Sequence, residues 1–178
     1  IRETDAIIHV LRCFDNDNIV HVDGSVDPIR DKETIDYELI LKDLEAIDKK
    51  IQKYDKISRT GDKEARKISD VLIKYKAHLE SGQSVRSLEV EEKEKEHISD
   101  LMLLTAKPIM YVCNVDDSAV QSGNKHVDRV REVVAKENAS IIIIAASTEA
   151  DIAELESFEE RQMFLEDLGL KEPGVNRV

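Results

Sequence analysis

Three apolar runs mark the chain, and a long stretch of a different period separates the first from the second. The run 5-DAIIHVLRCF-14 is nearly continuous and rich in branched residues. Such a run predicts a strand buried on both faces, the habit of parallel sheets. The runs 107-KPIMYVCN-114 and 140-SIIIIAAS-147 predict two more, so strands are expected near 6–13, 108–113 and 140–146. Between the last two, 124-NKHVDRVREVVAKEN-138 sets Val127, Val130, Val134 and Ala135 on one side of an amphipathic helix. Helices are also expected over 148–157 and 158–170. Strands and helices in alternation, with apolar strands, predict an α/β fold with a parallel sheet and helices on its faces.

The intervening stretch, about 34–105, has a helical period. Ile40, Leu44, Ile47, Ile51 and Tyr54 alternate steps of four and three, and Ala65, Ile68, Leu72, Tyr75 and Leu79 repeat the pattern after the breaker Gly61. Two such stripes joined by a short glycine turn predict an antiparallel coiled-coil hairpin. Gly82 ends it, a third helix is expected over roughly 90–104, and Asp31 is the expected N-cap of the first. The α/β part is therefore interrupted: 1–33 and 105–170 form it, 34–104 is the insertion, and 171–178 begins a link onward. The chain starts at Ile1 rather than Met and enters a strand within a few residues, so it reads as a piece of a longer protein.

Charge narrows the function classes. The net charge of −12 argues against nonspecific nucleic-acid binding by the whole surface, while leaving room for a local basic patch. Cys13 and Cys113 both lie in apolar runs and read as buried thiols of a reducing compartment, not a disulfide framework. No apolar run approaches membrane-spanning length and no signal peptide is recognisable, so a cytoplasmic protein without a membrane partner is expected.

In open parallel sheets, ligands sit beyond the C-terminal ends of strands. Those ends are Cys13–Asp17, Asn114–Asp117 and Ala145–Ser147. The second is chemically loaded: 109-IMYVCNVDDS-118 stops an apolar strand on an amide and two carboxylates. An Asn amide both donates and accepts, so it can read a base edge and tie two loops together. A carboxylate can accept from ring and exocyclic N–H groups. The competing reading is a polar turn that caps the next helix. None of the six glycines opens a GxxxxGK[ST] phosphate loop, no zinc spacing occurs, and no catalytic constellation is recognisable.

The blocks "IRETDAIIHVLRCFDNDNIVHVDGSVDPIRDKETIDYELILKDLE", "LLTAKPIMYVCNVDD" and "ASTEADIAELESFEERQMFLEDLGL" resemble the YchF-type Obg-like ATPases over essentially the whole chain. The resemblance implies part of a P-loop NTPase sheet with a coiled-coil insertion, lacking the P-loop and the C-terminal TGS domain. It implies ATP, or GTP, as the nucleotide, with Mg²⁺ held by residues outside this chain, and association with the ribosome or its large subunit. The family's base-reading motif is Asn-x-x-Glu. Asn114 matches it, Asp117 is one methylene shorter, and Val115 would pack near the base. Ala145, Ala146 and Ser147 stand where translation-factor GTPases carry Ser-Ala-Lys. The chain alone is expected not to hydrolyse nucleotide, and the oligomeric state is left open.

The turn of the hairpin carries the opposite charge to the rest. Lys49, Lys50, Lys53, Lys56, Arg59, Lys63, Arg66 and Lys67 face only Asp55, Asp62 and Glu64 within 49–67. One reading is a solvated surface laced with i,i+4 pairs. The other is a phosphate-contacting tip, which would make the chain a noncatalytic RNA or ribosome interaction module. His9 and Cys13 are expected in the core, His78, His97 and His126 on helix surfaces, and His21, Asp23 and Gly24 in a structural loop.

Overall fold

The computed structural model describes residues 1–16, 24–137 and 139–177. Asp17, His21 and Asp23, named above, lie outside the described residues. The chain divides into two compact units: Ile1–Ile7 with Glu33–Pro108, and Ile8–Lys32 with Ile109–Val178.

The first unit is helical. Helix α1 runs Pro28–Ser58 and α2 runs Lys63–Glu80. Asp27, not Asp31, caps α1: its Oδ1 accepts from the Ile29 and Arg30 amides, and Pro28 stands at the first helical position, where its missing N–H is no loss. Asp62 caps α2 by accepting from the Glu64 and Ala65 amides at 2.9 Å. The turn between them needs Gly61, whose φ is +91°. The helices are antiparallel: Asp55 accepts from Ser69 at 2.9 Å and Asp48 pairs with Lys76 at 2.7 Å, so position falls along one as it rises along the other. The two apolar stripes meet in one core, where Ile40, Ile47, Leu72, Tyr75 and Leu79 are buried and Leu44, Ile51, Tyr54 and Ile68 pack against them.

The third helix departs from expectation. Only α3, Glu92–Glu96, is α-helical, and single 3₁₀ turns follow at Ser99–Leu101 and Leu104–Ala106. Met102 breaks the run with φ of +45°, a left-handed conformation that side chains rarely adopt. Competing hydrogen bonds hold it there. The Arg2 guanidinium donates to Leu101 O at 3.2 Å and Met102 O at 3.3 Å. Asp43, fully buried in α1, accepts from the Leu104 amide at 2.8 Å and from the Thr105 amide and hydroxyl at 2.7 and 2.8 Å. Arg2 closes the cluster at 3.3 Å from Asp43.

The second unit carries the sheet. Strands β1 (Ile7–Arg12), β2 (Ile109–Asn114) and β3 (Ser140–Ile144) lie in the order β1-β2-β3. The pair β2·β3 is parallel, with Tyr111 opposite Ile141 and Asn114 opposite Ile144. For β1, the bonds Ile7 N to Pro108 O and Cys13 N to Asn114 O advance together along both strands, which also means parallel. β1 is not buried on both faces: Leu11 is buried, while Ile8 and Val10 are exposed. β3 is only partly covered, with Ile143 its one buried residue, as suits a strand at the edge of the described sheet. Helix α4, Lys125–Val134, buries Val127, Val130 and Val134; Ala135 falls just past its end and is exposed. Helices α5 (Ala146–Glu154) and α6 (Phe158–Asp167) complete the unit.

Histidine 126 is buried, not on a helix surface. It lies four residues before Val130 and eight before Val134, on the same face of α4, and its Nε2 stands 3.4 Å from Asp15. That imidazole, followed by Lys125, holds the Asp15 carboxyl below its usual range. His9 is buried as expected, its ring 5.6 Å from that of Tyr111. Lys32 is also buried, bound to Glu137 at 2.6 Å, and the same carboxylate accepts from Tyr111 at 2.7 Å. Cys13 and Cys113 are free and buried, and the hydrogen bond that the Cys13 thiol donates to Cys113, with burial second, pushes the Cys13 thiol up.

Candidate functional site

The ends of β2 and β3 meet at one place, and the residues that follow them interlock. The last rung of the ladder is Val115 N to Ile144 O at 2.8 Å. Beyond it, β3 turns into α5 two residues earlier than expected, so Ala146 and Ser147 lie in the first helical turn. The N-cap position holds Ala145, which has no side chain to satisfy the orphan amides there. Asn114 fills that role from the neighbouring strand end: its Oδ1 accepts from the Ala146 amide at 2.9 Å. Asp117 adds a carboxylate at the same positive helix end, with Oδ1 accepting from the Ser147 hydroxyl at 2.8 Å and the Thr148 hydroxyl at 2.6 Å. Those two bonds, Thr148 first, hold the Asp117 carboxyl below its ordinary range, so it stays ionised.

Two groups of this junction are left over. Asn114 Nδ2 and Asp117 Oδ2 have no hydrogen-bond partner among the described residues. Asn114 is half-buried and Asp117 exposed. One donor and one acceptor from a tied pair of loops are the complement of a purine edge, which presents an acceptor at N7 beside either an exocyclic amine or a carbonyl. The neighbouring residues do other work. Asp116 caps the turn after β2 by accepting from the Ala119 amide at 3.1 Å. Asn124 caps α4 and also donates to Cys13 O at 2.7 Å, pinning the end of β1.

Val115 is at odds with its expected contact, because its side chain is 2 % exposed and packs into the protein, leaving no open face for a base. Ala145 is also fully buried, so Ala145 and Ala146 shape the junction with their backbone. Thr148 was absent from the sequence reading. Its signal was a hydroxyl directly after Ser147, at the start of a helix lacking a capping residue. Among the described residues no group of three or more His, Cys, Asp or Glu is placed to hold a metal.

The hairpin cations belong to the first unit. Lys50 binds Asp100 and donates to His97 O at 2.6 Å, and Lys67 pairs with Glu64 at 3.5 Å. Lys49, Lys53, Lys56, Arg59, Lys63 and Arg66 are exposed and have no ion-pair partner among the described residues. Among the described residues the one ion pair formed within 49–67 is Lys67 with Glu64, spaced i,i+3.

An open parallel α/β sheet whose strand ends are tied into a polar junction, interrupted in sequence by a helical hairpin, defines the class of α/β fold in which ligands sit beyond the carboxyl ends of the strands. No protein-family model matches the chain. Single relatives do. It is 48 % identical over its whole length to the ribosome-binding ATPase YchF of Bacillus subtilis, covering 49 % of that protein. It is 40 % identical over 83 % of its length to the Obg-like ATPase 1 of Saccharomyces cerevisiae, covering 39 % of it. The solved structure of the Schizosaccharomyces pombe YchF GTPase matches 96 % of the chain and 47 % of its own, with a TM-score of 0.85 at 30 % identity. The chain belongs to the YchF-type Obg-like family and spans about half the length of the curated relatives it matches.

Proposed function

We propose that the chain supplies the base-reading part of an ATP-binding protein that hydrolyses nucleotide and acts on the ribosome. The observation that carries the reading is the junction itself: Asn114 Oδ1 is committed to Ala146, which leaves its Nδ2 as a fixed donor beside the spare oxygen of Asp117. In the bound state Nδ2 donates to the purine, Asp117 Oδ2 accepts from an exocyclic amine, and the backbone of Ala145, Ala146 and Ser147 walls the pocket. An amine at the purine 6-position suits that acceptor, so ATP is favoured over GTP. The names of the bacterial and budding-yeast relatives support this, and that of the fission-yeast protein names GTP chemistry. Phosphate binding, Mg²⁺ and the transfer step belong to other parts of the protein, and a cytoplasmic location follows from work on ribosomes. The described residues include no helix long and apolar enough to cross a membrane. The test is calorimetric titration of the full-length protein with ATP and with GTP. Tighter binding of ATP is expected. Equal affinities would remove the adenine reading, and no binding of either would remove the site.

A second reading rests on the unpaired cations. The hairpin contacts ribosomal RNA through phosphate groups, and the six cations without carboxylate partners supply the attraction. The double substitution Arg59→Glu and Arg66→Glu in the full-length protein is expected to abolish cosedimentation with ribosomes at 100 mM salt and leave nucleotide affinity unchanged. Undiminished cosedimentation would show that the tip is only a solvated surface.

A further inference from the structure

The cations fall into two groups, and one of them is not at the turn. Lys49, Lys50 and Lys53 line a groove of about 530 Å³ on the flank of α1, together with Arg2, Lys42 and Tyr54. Two carboxylates, Glu45 and Asp100, are the only acidic side chains in that lining, against five cations, in a chain of net charge −12. We infer that this groove is a binding site for the sugar–phosphate backbone of single-stranded RNA. It deepens the RNA reading above and rests on it.

The groove is built in two layers. Arg2 and Lys50 are locked: the guanidinium is held by Asp43, Lys42 O, Leu101 O and Met102 O, and the Lys50 ammonium by Asp100 and His97 O. Their charges are already met by Asp43 and Asp100, so they shape the floor of the groove and are not free to follow a ligand. Lys42, Lys49 and Lys53 form the solvent-exposed layer. Lys49 and Lys53 have no acidic partner among the described residues. Lys42 touches only Glu45 at 3.5 Å, with both side chains more than half exposed, a pairing weak enough to exchange for a phosphate. From Lys42 to Lys53 the α1 axis rises about 16 Å, so the three ammonium groups track an extended strand and do not converge on one anion.

Tyr54 makes the groove more than a charged ridge. Its ring is half-buried in the lining, packed on the hairpin core, and the Lys50 and Lys53 ammonium groups lie 5.8 and 5.7 Å from its centre. An aromatic ring set among cations in a concave surface is the arrangement by which proteins hold unpaired nucleotides, with the base against the ring and the backbone on the cations. A duplex keeps its bases stacked inside and offers such a ring nothing. An acidic peptide would satisfy the lysines and leave the ring unused.

The test uses the 178-residue chain and a fluorescent twelve-nucleotide single-stranded RNA, with anisotropy read from 50 to 200 mM salt. Lys49→Gln with Lys53→Gln is compared with Arg59→Gln and Arg66→Gln at the turn, after circular dichroism shows both variants as helical as the parent. The groove variant is expected to bind at least tenfold more weakly at 100 mM salt. Its log–log salt slope should be shallower by about 1.4, since each single-strand phosphate contact contributes roughly 0.7. Lys49→Arg with Lys53→Arg should restore the affinity. Parental affinity in the groove variant alongside a loss in the turn variant would overturn the groove and leave the RNA reading standing. No RNA binding by the parent would remove both. Equal competition by duplex RNA or by inorganic polyphosphate would overturn the single-strand assignment.

Discussion

Replacing Asp43 by alanine is expected to remove about 3–5 kcal/mol of folding stability, the range found when one partner of a buried charged cluster is deleted. The reason is what stays behind. Asp43 is fully buried, and its two oxygens accept from the Leu104 amide, the Thr105 amide, the Thr105 hydroxyl and the Arg2 guanidinium. Each buried donor left without an acceptor costs about 1–3 kcal/mol. Arg2, already bound to three carbonyls, would keep its charge without the carboxylate. The 3₁₀ turns around Met102 would lose the contact that holds them against α1. Asparagine is no rescue, because its amide nitrogen must face donors at one of the two oxygen positions. A comparison lies five residues along the same helix: Asp48 pairs with Lys76 at 2.7 Å, but both side chains are about one-third to one-half exposed. Exposed pairs contribute about 0–1 kcal/mol. Denaturant unfolding of the chain with Asp43→Ala and Asp48→Ala therefore separates two carboxylates of one helix. Against a total of roughly 5–15 kcal/mol, the first loss lowers the midpoint sharply or prevents folding. If the two substitutions cost the same, the cluster around Asp43 is not what holds the 99–106 segment.

Asp43 also shows where a sequence stops being legible. The helical stripes were readable because a side chain's face is set by its position modulo 3.6, and Ile40, Ile47, Leu72 and Leu79 lie in the core where that rule puts them. Asp43 sits three after Ile40 and four before Ile47, so its place on the core face was readable too. Its partners were not, because they are backbone amides 61 and 62 residues away, and backbone groups leave no mark in a sequence. The same cluster ends the shortened third helix: the Leu104 amide, taken by Asp43, cannot continue an i→i−4 ladder, however regular the apolar spacing. The strands erred in a related way. A continuous apolar run predicts burial on both faces, yet Ile8 and Val10 are exposed, because an apolar sequence states what a face tolerates and not what covers it. The junction at Asn114 was located from chemistry at a strand end. What the residues said about the strand end was position; that Asp117 would be held by Thr148 as well as Ser147 depended on α5 starting at Ala146, two residues before the expected start.

That junction yields the second large effect, on binding. In the full-length protein, Asn114→Ala is expected to weaken ATP by about 10- to 100-fold, roughly 1.4–2.8 kcal/mol, and to erase the preference over GTP. Two losses combine in it. The Ala146 amide, the first orphan of α5, loses its acceptor, and the purine loses the donor at Nδ2. Asn114→Asp separates them. An aspartate oxygen can still accept from Ala146, so the two loops remain tied, but the second oxygen presents an acceptor where the base needs a donor. If the amide reads the base, the aspartate variant binds ATP as poorly as the alanine variant. If Asn114 only caps α5, the aspartate variant binds like the parent, because a carboxylate is at least as good a cap at the positive end of a helix. Ser147→Ala serves as the neighbouring control. It removes one of two hydroxyls from the same Asp117 oxygen and leaves Thr148 in place, so a change of no more than about threefold is expected, less than one neutral hydrogen bond. Calorimetry on the three variants thus distinguishes a base-reading amide from a capping one by the order of their affinities.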